Sequence, residues 1–318
     1  MGRPGRPGAR LWRGPVTGRQ VTVGVLHPGS MGAAVAACAL ANSGQVLWCP
    51  QGRSEATASR AERFGLTAVP ALSDLVAQAD VVLSLCPPAA AEDVARDVAG
   101  LGFTGVYVEA NAISPQRAVR IAQLFGGTAR AVVDGAVVGS PPVGAKRPRL
   151  YLSGAAAEVG LVERLFSGTS VSTHMLGEEI GQASALKVSY TAFQKASRVL
   201  AALSYGLARE HGVDQALLDV AGQRTGSYLT ETDYIGKTAA RGWRWGPELD
   251  EAADTLAAAG LPDDLLRAAA STLSRWDGAK DIKMSADQAL DELLRAEAEL
   301  SSRQAEPERS EESGRQIG

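Results

Sequence analysis

Four polar side chains recur at helical spacing in the segment LKVSYTAFQKASR. Steps of four, three and four residues put them on one face of a predicted helix. They are Lys187, Thr191, Gln194 and Arg198. A carbonyl oxygen gains negative charge when hydride reaches its carbon, and a lysine beside it can stabilise that charge and donate a proton. Lys187 is then a general acid, with Tyr190 as a reserve donor, while Thr191 and Gln194 orient the substrate. The alternative is an ordinary solvated helix face.

A glycine turn near the N-terminus could hold a phosphate. The segment VTVGVLHPGSMGAAVAACAL has the strand, turn and helix pattern of a dinucleotide-binding unit. Gly29 and Gly32 occupy its second and third glycine positions, whereas His27 occupies the first, whose role is turn geometry. The backbone N–H groups of Ser30 and Met31 would point from the helix N-terminus toward an anion. The alternative is a strand-to-helix turn with no ligand.

The residues after the second predicted strand indicate which dinucleotide would bind. An NAD-preferring site carries an acidic residue there, about 20 residues after the glycines, for the ribose 2′-hydroxyl. This sequence has Arg53 and Ser54 instead, and a guanidinium with a hydroxyl can bind a 2′-phosphate. The pattern therefore favours NADPH/NADP+. Alternatively, Ser54 is a helix N-cap and Arg53 a solvated charge.

Hydrophobic periodicity divides the chain into two domains. In residues 20–176, short Val- and Leu-rich runs alternate with Ala-rich amphipathic stretches, which is typical of βαβ units and a parallel sheet. The predicted strands are QVTVGVL, QVLWC, TAV, VVLSLC, GVYVEA, AVVDGAVV and RLYLSG. In residues 177–301 strand signals disappear, and one long helix is predicted from Glu178. The predicted fold class is α/β, an N-terminal Rossmann domain with a doubly wound parallel sheet, followed by an all-α C-terminal domain.

Composition narrows the classes of function. The 32 Lys and Arg residues nearly balance the 35 Asp and Glu residues, so no nucleic-acid partner is expected. Cys38, Cys49 and Cys86 lack metal-ligand spacing, which predicts buried, inert thiols in a reducing compartment and no metal site. Residues 1–19 and 302–318 are predicted disordered tails. Since no run of about 18 apolar residues occurs, we expect a cytoplasmic protein without a membrane span.

Four segments, taken in order, carry a family resemblance. HPGSMG after a strand, then CPQGRS, DGAVVGSPPVGAKRPRLYLSG and GEEIGQASALKVSYTAFQKA resemble the β-hydroxyacid dehydrogenases, whose relatives include 6-phosphogluconate dehydrogenase and the imine reductases. The resemblance covers residues 20 to about 280. It implies an NADP-dependent oxidoreductase that reduces a small carbonyl compound in a cleft between its two domains, with an imine as the alternative substrate.

The resemblance also implies which residues hold the cofactor. The GSMG turn is similar to the family's GxMG pyrophosphate turn, and its members are Gly29, Ser30, Met31 and Gly32. Asn111, in VEANAISP, would border the nicotinamide. Pro87, in the CPP loop after the fourth strand, would lie over the cofactor.

For the substrate, the resemblance implies a lysine and a loop. Lys187 matches the family's catalytic lysine, and Thr191 stands where the family has asparagine. The DGAVVGS segment is similar to the family's substrate loop, in which Gly139 and Ser140 are candidate contacts and Val138 replaces the usual serine.

Two classes of function follow. One is the oxidoreductase, which we expect to be a homodimer through its helical domain. The other is a non-catalytic NADP(H)-binding sensor, which the departures at positions 27, 138 and 191 would favour.

Overall fold

The computed structural model describes residues 20–126 and 131–305. The chain divides into two compact units, Met1–Ala192 and Phe193–Gly318. The predicted tail of residues 1–19 lies outside the described residues. So do residues 306–318 of the other predicted tail, whereas residues 302–305 belong to the last helix.

An eight-stranded sheet forms the centre of the first unit. Its strands are β1 (Thr22–Val25), β2 (Gln45–Trp48), β3 (Thr67–Ala68), β4 (Val81–Ser84), β5 (Val106–Glu109), β6 (Ala131–Val138), β7 (Arg149–Ser153) and β8 (Ser172–Gly177). The spatial order is β3-β2-β1-β4-β5-β6-β7-β8. All neighbouring strands are parallel except β6 and β7, which are antiparallel. The order reverses beside β1, where open α/β sheets bind ligands at their carboxyl edge.

Helices cover both faces of this sheet. They are α1 (Ser30–Ala39), α2 (Glu55–Arg63), α3 (Leu72–Gln78), α4 (Ala91–Gly100), α5 (Pro115–Leu124) and α6 (Ala156–Phe166). Side chains of α1 and α6 pack with Val23 and Val25 of β1 in one buried cluster. Side chains of α3, α4 and α5 pack with Leu47 and Tyr107 in a second cluster on the opposite face. Buried side chains alternate between the faces because strand residues do. The predicted doubly wound fold class is confirmed.

The sequence does not predict the edge strand β8. Its residues, STHMLG, mix polar and apolar types without alternation, and most of its side chains are exposed. It lies at the end of the strand order, where it pairs with β7. A strand at the edge of a sheet buries little, so hydrophobic periodicity does not reveal it.

A 29-residue helix, α7 (Gln182–Glu210), continues from the first unit into the second. The predicted long helix is confirmed, although it begins four residues after Glu178. The remaining helices are α8 (Asp214–Gly222), α9 (Ile235–Ala239), α10 (Gly242–Ala258), α11 (Asp264–Ser274) and α12 (Ala286–Ala305). Helices α9 to α12 contribute to two small buried clusters, one that contains Trp276 and one that contains Leu256.

Candidate functional site

The glycine turn connects β1 to α1 at the carboxyl edge of the sheet. Gly29 is the N-cap of α1, and its N–H donates to the carbonyl oxygen of His27 at 2.8 Å. A Cβ at Gly32 would collide with the same carbonyl oxygen. Only glycine therefore allows the helix to lie this close to the turn. Ser30 is exposed and Met31 half-buried at the start of α1, where free backbone N–H groups favour an anion.

His27 and Arg53 are in contact beside this turn. Arg53 Nη1 donates to His27 Nδ1 at 3.0 Å, and Nη2 donates to the carbonyl oxygen of Leu26 at 3.1 Å. Arg60 on α2 donates from Nη1 to the carbonyl oxygen of Pro28 at 3.2 Å. Burial of the imidazole lowers the pKa of His27, and the charges of Arg53 and Arg60 lower it further. Two guanidinium groups thus face a neutral imidazole.

Ser54 is the N-cap of α2. Its Oγ accepts from the backbone N–H of Thr57 at 3.3 Å and lies 3.1 Å from the Thr57 hydroxyl. Ser54 therefore caps the helix, which was the alternative to phosphate binding in the interpretation of the sequence. A cavity of about 220 Å³ adjoins Arg53, with Leu26, Leu72 and Leu75 among its lining residues. Gln51 and Asp97 also line this cavity, so its walls are partly polar. Apolar walls with a few polar groups and a cation suit the adenosine end of a phosphorylated nucleotide.

Asn111 lies in a buried polar cluster after β5. It is 3% exposed, and its N–H donates to Glu109 Oε1 at 3.0 Å. Its Nδ2 donates to Ser84 Oγ at 3.0 Å and to Cys86 Sγ at 3.4 Å. Burial raises the pKa of Glu109 to about 7, and the negative charge of Asp134 contributes in the same direction. Burial also raises the pKa of the Cys86 thiol, as does the neighbouring Glu109.

Pro87 follows this cluster at the end of the β4 loop. It is the N-cap of a short 3₁₀ turn, Pro88–Ala90, which leads into α4.

The three cysteines are free and only half-buried, so the prediction of buried thiols is wrong. Cys38, for example, lies on α1 and packs against the buried cluster without being fully buried itself.

Asp134 anchors the N-terminus of α7 to the sheet. This fully buried carboxylate of β6 accepts from the N–H of Gly181 at 2.9 Å and from the N–H of Ser184 at 3.0 Å. It also accepts from the hydroxyl of Ser184 at 2.6 Å and from that of Ser153 at 3.1 Å. Ser153 Oγ in turn accepts from the N–H of Ala183 at 3.2 Å. The first-turn donors of α7 are thereby bound, and a negative charge at this end suits the helix dipole.

This anchor fixes the position of Lys187, which follows one turn later. Lys187 is half-buried, and its Nζ donates to the carbonyl oxygen of Val137 at 2.8 Å. Val137 lies near the end of β6, two residues before Gly139. The structure thus brings the predicted lysine to the strand that leads into the predicted substrate loop.

The other predicted substrate residues follow Val137 or Lys187 closely in the sequence. Gly139 has φ of 123°, a conformation that favours glycine, and its Cα faces Pro148. Ser140 is exposed, and Val138 is half-buried at the end of β6. On α7, Thr191 is half-buried and Tyr190 is 38% exposed.

Gln194 lies on the next turn of α7, where it is half-buried. It belongs to the second unit, whereas Lys187 belongs to the first. The spacing of the two residues along the same helix agrees with the predicted shared face.

Three features of the candidate site were not predicted from the sequence. They are the buried carboxyl groups of Asp134 and Glu109 and the contact between His27 and Arg53. A signal was present for the first two. Each is an acidic residue in a Val-rich segment predicted as a strand, and a carboxylate buried in a core needs partners or a raised pKa. For His27, the unusual residue was visible but its partner was not.

Among the described residues, no three His, Cys, Asp or Glu side chains are grouped so that they could hold a metal ion. Within residues 20–126 and 131–305, no helix has the length and apolar character needed to cross a membrane.

The family comparisons match two segments. Residues 22–112 match the model described as NADP oxidoreductase coenzyme F420-dependent. Residues 208–276 match a domain of unknown function, DUF1932. Among curated proteins, an uncharacterised 28.5 kDa protein from Methanothermus fervidus is 27% identical over 188 residues, which cover 59% of this chain and 71% of that protein.

Solved structures share the fold across most of the chain. A conserved protein of unknown function, described as similar to 3-hydroxyacid dehydrogenases, is 23% identical over 87% of this chain and 99% of its own, with a TM-score of 0.53. An imine reductase from Streptomyces aurantiacus is 19% identical over 85% and 98%, with a TM-score of 0.66. A reductive aminase from Aspergillus terreus, in complex with NADPH and ethyl levulinate, is 19% identical over 86% and 99%, with a TM-score of 0.65.

These matches agree with the geometry of the glycine turn and its two arginines. The residues present fit an NADP phosphate, because Gly32 leaves no room for a Cβ and the guanidinium groups of Arg53 and Arg60 have no carboxylate partner among the described residues. The chain is therefore similar to NADP-dependent oxidoreductases over residues 22–112 and to DUF1932 over residues 208–276, and it has the fold shared by 3-hydroxyacid dehydrogenases and imine reductases.

Proposed function

We propose that this protein is an NADPH-dependent reductase of a small carbonyl compound, with Lys187 as the general acid. The observation that carries the proposal is the contact of Lys187 Nζ with Val137 O at 2.8 Å, beside the loop that contains Gly139 and Ser140. A substrate oxygen that took the place of this carbonyl would meet a half-buried ammonium group. Asp134 holds the helix so that the ammonium group needs little reorganisation.

The hydride for the carbonyl carbon would come from NADPH held by the glycine turn and Arg53, with NADP+ as the second product. The carbonyl π electrons move to oxygen, and the ammonium group of Lys187 gives that oxygen a proton. The products are an alcohol and a neutral lysine, which water reprotonates. Thr191 and Gln194 would hydrogen-bond the substrate, and Tyr190 is the reserve donor.

The cofactor half of the proposal assigns roles around the glycine turn. Gly29, Ser30, Met31 and Gly32 would bind the pyrophosphate at the N-terminus of α1. Arg53, with the Ser54 hydroxyl, would bind the 2′-phosphate. Asn111 would border the nicotinamide, and Pro87 would lie in the loop over the cofactor.

A direct test uses Lys187→Met with Lys195→Met as the matched control, since Lys195 is exposed on the same helix. The assay is NADPH consumption with a panel of small aldehydes, keto acids and cyclic imines. We expect Lys187→Met to lower turnover by about 10²- to 10⁴-fold and to leave NADPH affinity within a few-fold. Full activity in this variant would contradict the mechanism and make Tyr190 or an imine-reducing arrangement the better explanation.

Cofactor preference is tested by Arg53→Ala, with Arg63→Ala as control because Arg63 is an exposed arginine at the other end of α2 from the glycine turn's Arg53. Loss of a charge-assisted contact should weaken NADPH binding about 10- to 150-fold and leave NADH binding nearly unchanged. Equal losses for both cofactors would refute the 2′-phosphate role.

Imine reduction is the second candidate, favoured by the imine reductase and reductive aminase among the fold neighbours. The family resemblance implies that imine reductases usually lack a lysine at the position of Lys187. The presence of Lys187 therefore favours a carbonyl substrate over an imine. A third possibility is a sensor, and NADPH binding without turnover of any panel compound would support it.

We also propose a homodimer through the helical domain. Apolar side chains on the second unit are exposed, including Val199, Leu218 and Val220 at 53%, 49% and 67%. An apolar cavity of about 780 Å³ lies among α7, α8, α10 and α11. Burial of such a surface against a second copy removes apolar area from water. Light scattering that finds only monomer at micromolar concentration would contradict this proposal.

A further inference from the structure

His27 stands where a phosphate-binding turn normally has glycine, and it contacts the residue nominated for the 2′-phosphate. Nη1 of Arg53 is 3.0 Å from Nδ1 of the imidazole. A guanidinium group is always a donor, so Nδ1 must accept and the ring proton must lie on Nε2. A glycine at position 27 could not make this contact.

The charges around His27 support the same assignment. Burial, then Arg53, then Arg60 lower the pKa of the imidazole, which keeps it neutral and able to accept at neutral pH. Arg60 approaches the turn from α2, where it donates to Pro28 O at 3.2 Å. These two arginines are the charged groups that act on the ring.

Arg53 keeps free donors while it is held. A guanidinium group has five N–H donors, of which one binds the imidazole and one binds Leu26 O. The other three donate to no side chain or carbonyl of the described residues and remain for a ligand, and Arg53 is an exposed residue in the lining of the 220 Å³ cavity. The guanidinium group is thus fixed at two points and open on its remaining side.

We propose that His27 is a positioning residue for cofactor selection, which holds the Arg53 guanidinium group in place for the 2′-phosphate of NADP(H). The inference rests on the proposed role of Arg53 in binding that phosphate. Without the imidazole, Arg53 would lose one of its two anchors and would have to be ordered by the ligand itself. Ordering one long side chain on binding lowers affinity about 3- to 10-fold.

The test is equilibrium titration of the full chain with NADPH, NADH and adenosine 2′,5′-bisphosphate. The variants are His27→Gly, Arg53→Ala, the double variant and His27→Gln, whose amide oxygen can also accept. The matched control is His174→Gln, because His174 is an exposed histidine on β8 that stacks on Tyr151.

We expect His27→Gly to weaken NADPH and bisphosphate binding about 3- to 10-fold and to leave NADH binding unchanged. His27→Gln should recover part of the loss, and the double variant should bind no worse than Arg53→Ala alone. Equal losses for NADPH and NADH would overturn the inference, because they would mean that His27 only shapes the turn.

The two proposals fail in distinguishable ways. If Arg53→Ala weakens NADPH binding but His27→Gly does not, the role of His27 is wrong and the role of Arg53 survives. If Arg53→Ala changes neither cofactor's affinity, both the 2′-phosphate assignment and the inference fail.

Discussion

Replacement of Asp134 by alanine should destabilise the fold strongly, since this carboxylate joins α7 to the sheet. The side chain is fully buried and accepts four hydrogen bonds, two from backbone N–H groups and two from hydroxyls. The hydroxyls of Ser153 and Ser184 can rotate to other acceptors, but the N–H groups of Gly181 and Ser184 cannot. Each buried donor left without a partner costs about 1–3 kcal/mol. With the lost interaction at the helix N-terminus, we expect Asp134→Ala to lower the free energy of unfolding by about 3–5 kcal/mol.

Urea unfolding followed by far-UV circular dichroism measures this change. Asp134→Asn retains one acceptor oxygen, so we expect a smaller loss, about 1–2 kcal/mol. Asp93→Ala is the control, because Asp93 is an exposed partner of Arg96 and its removal should change stability by less than about 0.5 kcal/mol. A loss below about 1 kcal/mol for Asp134→Ala would refute the reasoning, since two backbone donors would then have found other partners at little cost.

Two further predictions concern the glycine turn and the buried glutamate. Gly32→Ala should weaken NADPH binding at least about 10-fold, because the new Cβ meets the carbonyl oxygen of His27; Gly100→Ala, whose Cβ meets nothing within 4 Å, should bind like the parent in the same titration. Glu109 has a folded pKa of about 7 against an ordinary 4.5, so the folded state holds a proton that the unfolded state releases between these values. Its contribution to stability is present below about pH 4.5 and is lost as the pH rises to about 7. Urea unfolding of the parent compared at pH 5 and pH 8 should therefore show a loss of about 2.5 kcal/mol, and Glu109→Gln should remove this dependence. A parent and variant with parallel pH profiles would show that Glu109 is ionised in the fold.

The pH prediction also bears on Asn111. Glu109 accepts the backbone N–H of Asn111, so ionisation of the carboxyl changes the surroundings of the residue that we assign to the nicotinamide. The Glu109→Gln variant would keep an acceptor for that N–H while it removes the charge. Comparison of NADPH affinity in the two proteins across the same pH range separates the charge from the hydrogen bond.

The amino-acid sequence by itself determined the elements that depend on neighbours in the chain. Alternation and helical periodicity predicted the Rossmann sheet and the long helix α7, because a side chain's face is set by its position along its own strand or helix. The roles of Gly29 and Gly32 in the turn were also predictable, because they too depend on neighbouring residues in the sequence. Their requirement for space comes from a turn of a few residues, and at Gly32 the limiting atom is the backbone oxygen of His27.

Only the tertiary structure decided how these elements meet. Asp134 binds the N-terminus of α7 across 47 and 50 residues, Lys187 reaches Val137 across 50, and Arg53 reaches His27 across 26. The edge strand β8 likewise depends on its pairing with β7 and not on its own sequence. Local periodicity carries no information on such partners, since each contact depends on where two distant segments lie in the folded sheet. The physical reason is that a buried charge or donor takes whichever partner the fold brings within hydrogen-bond distance, and that distance is a property of the packed core.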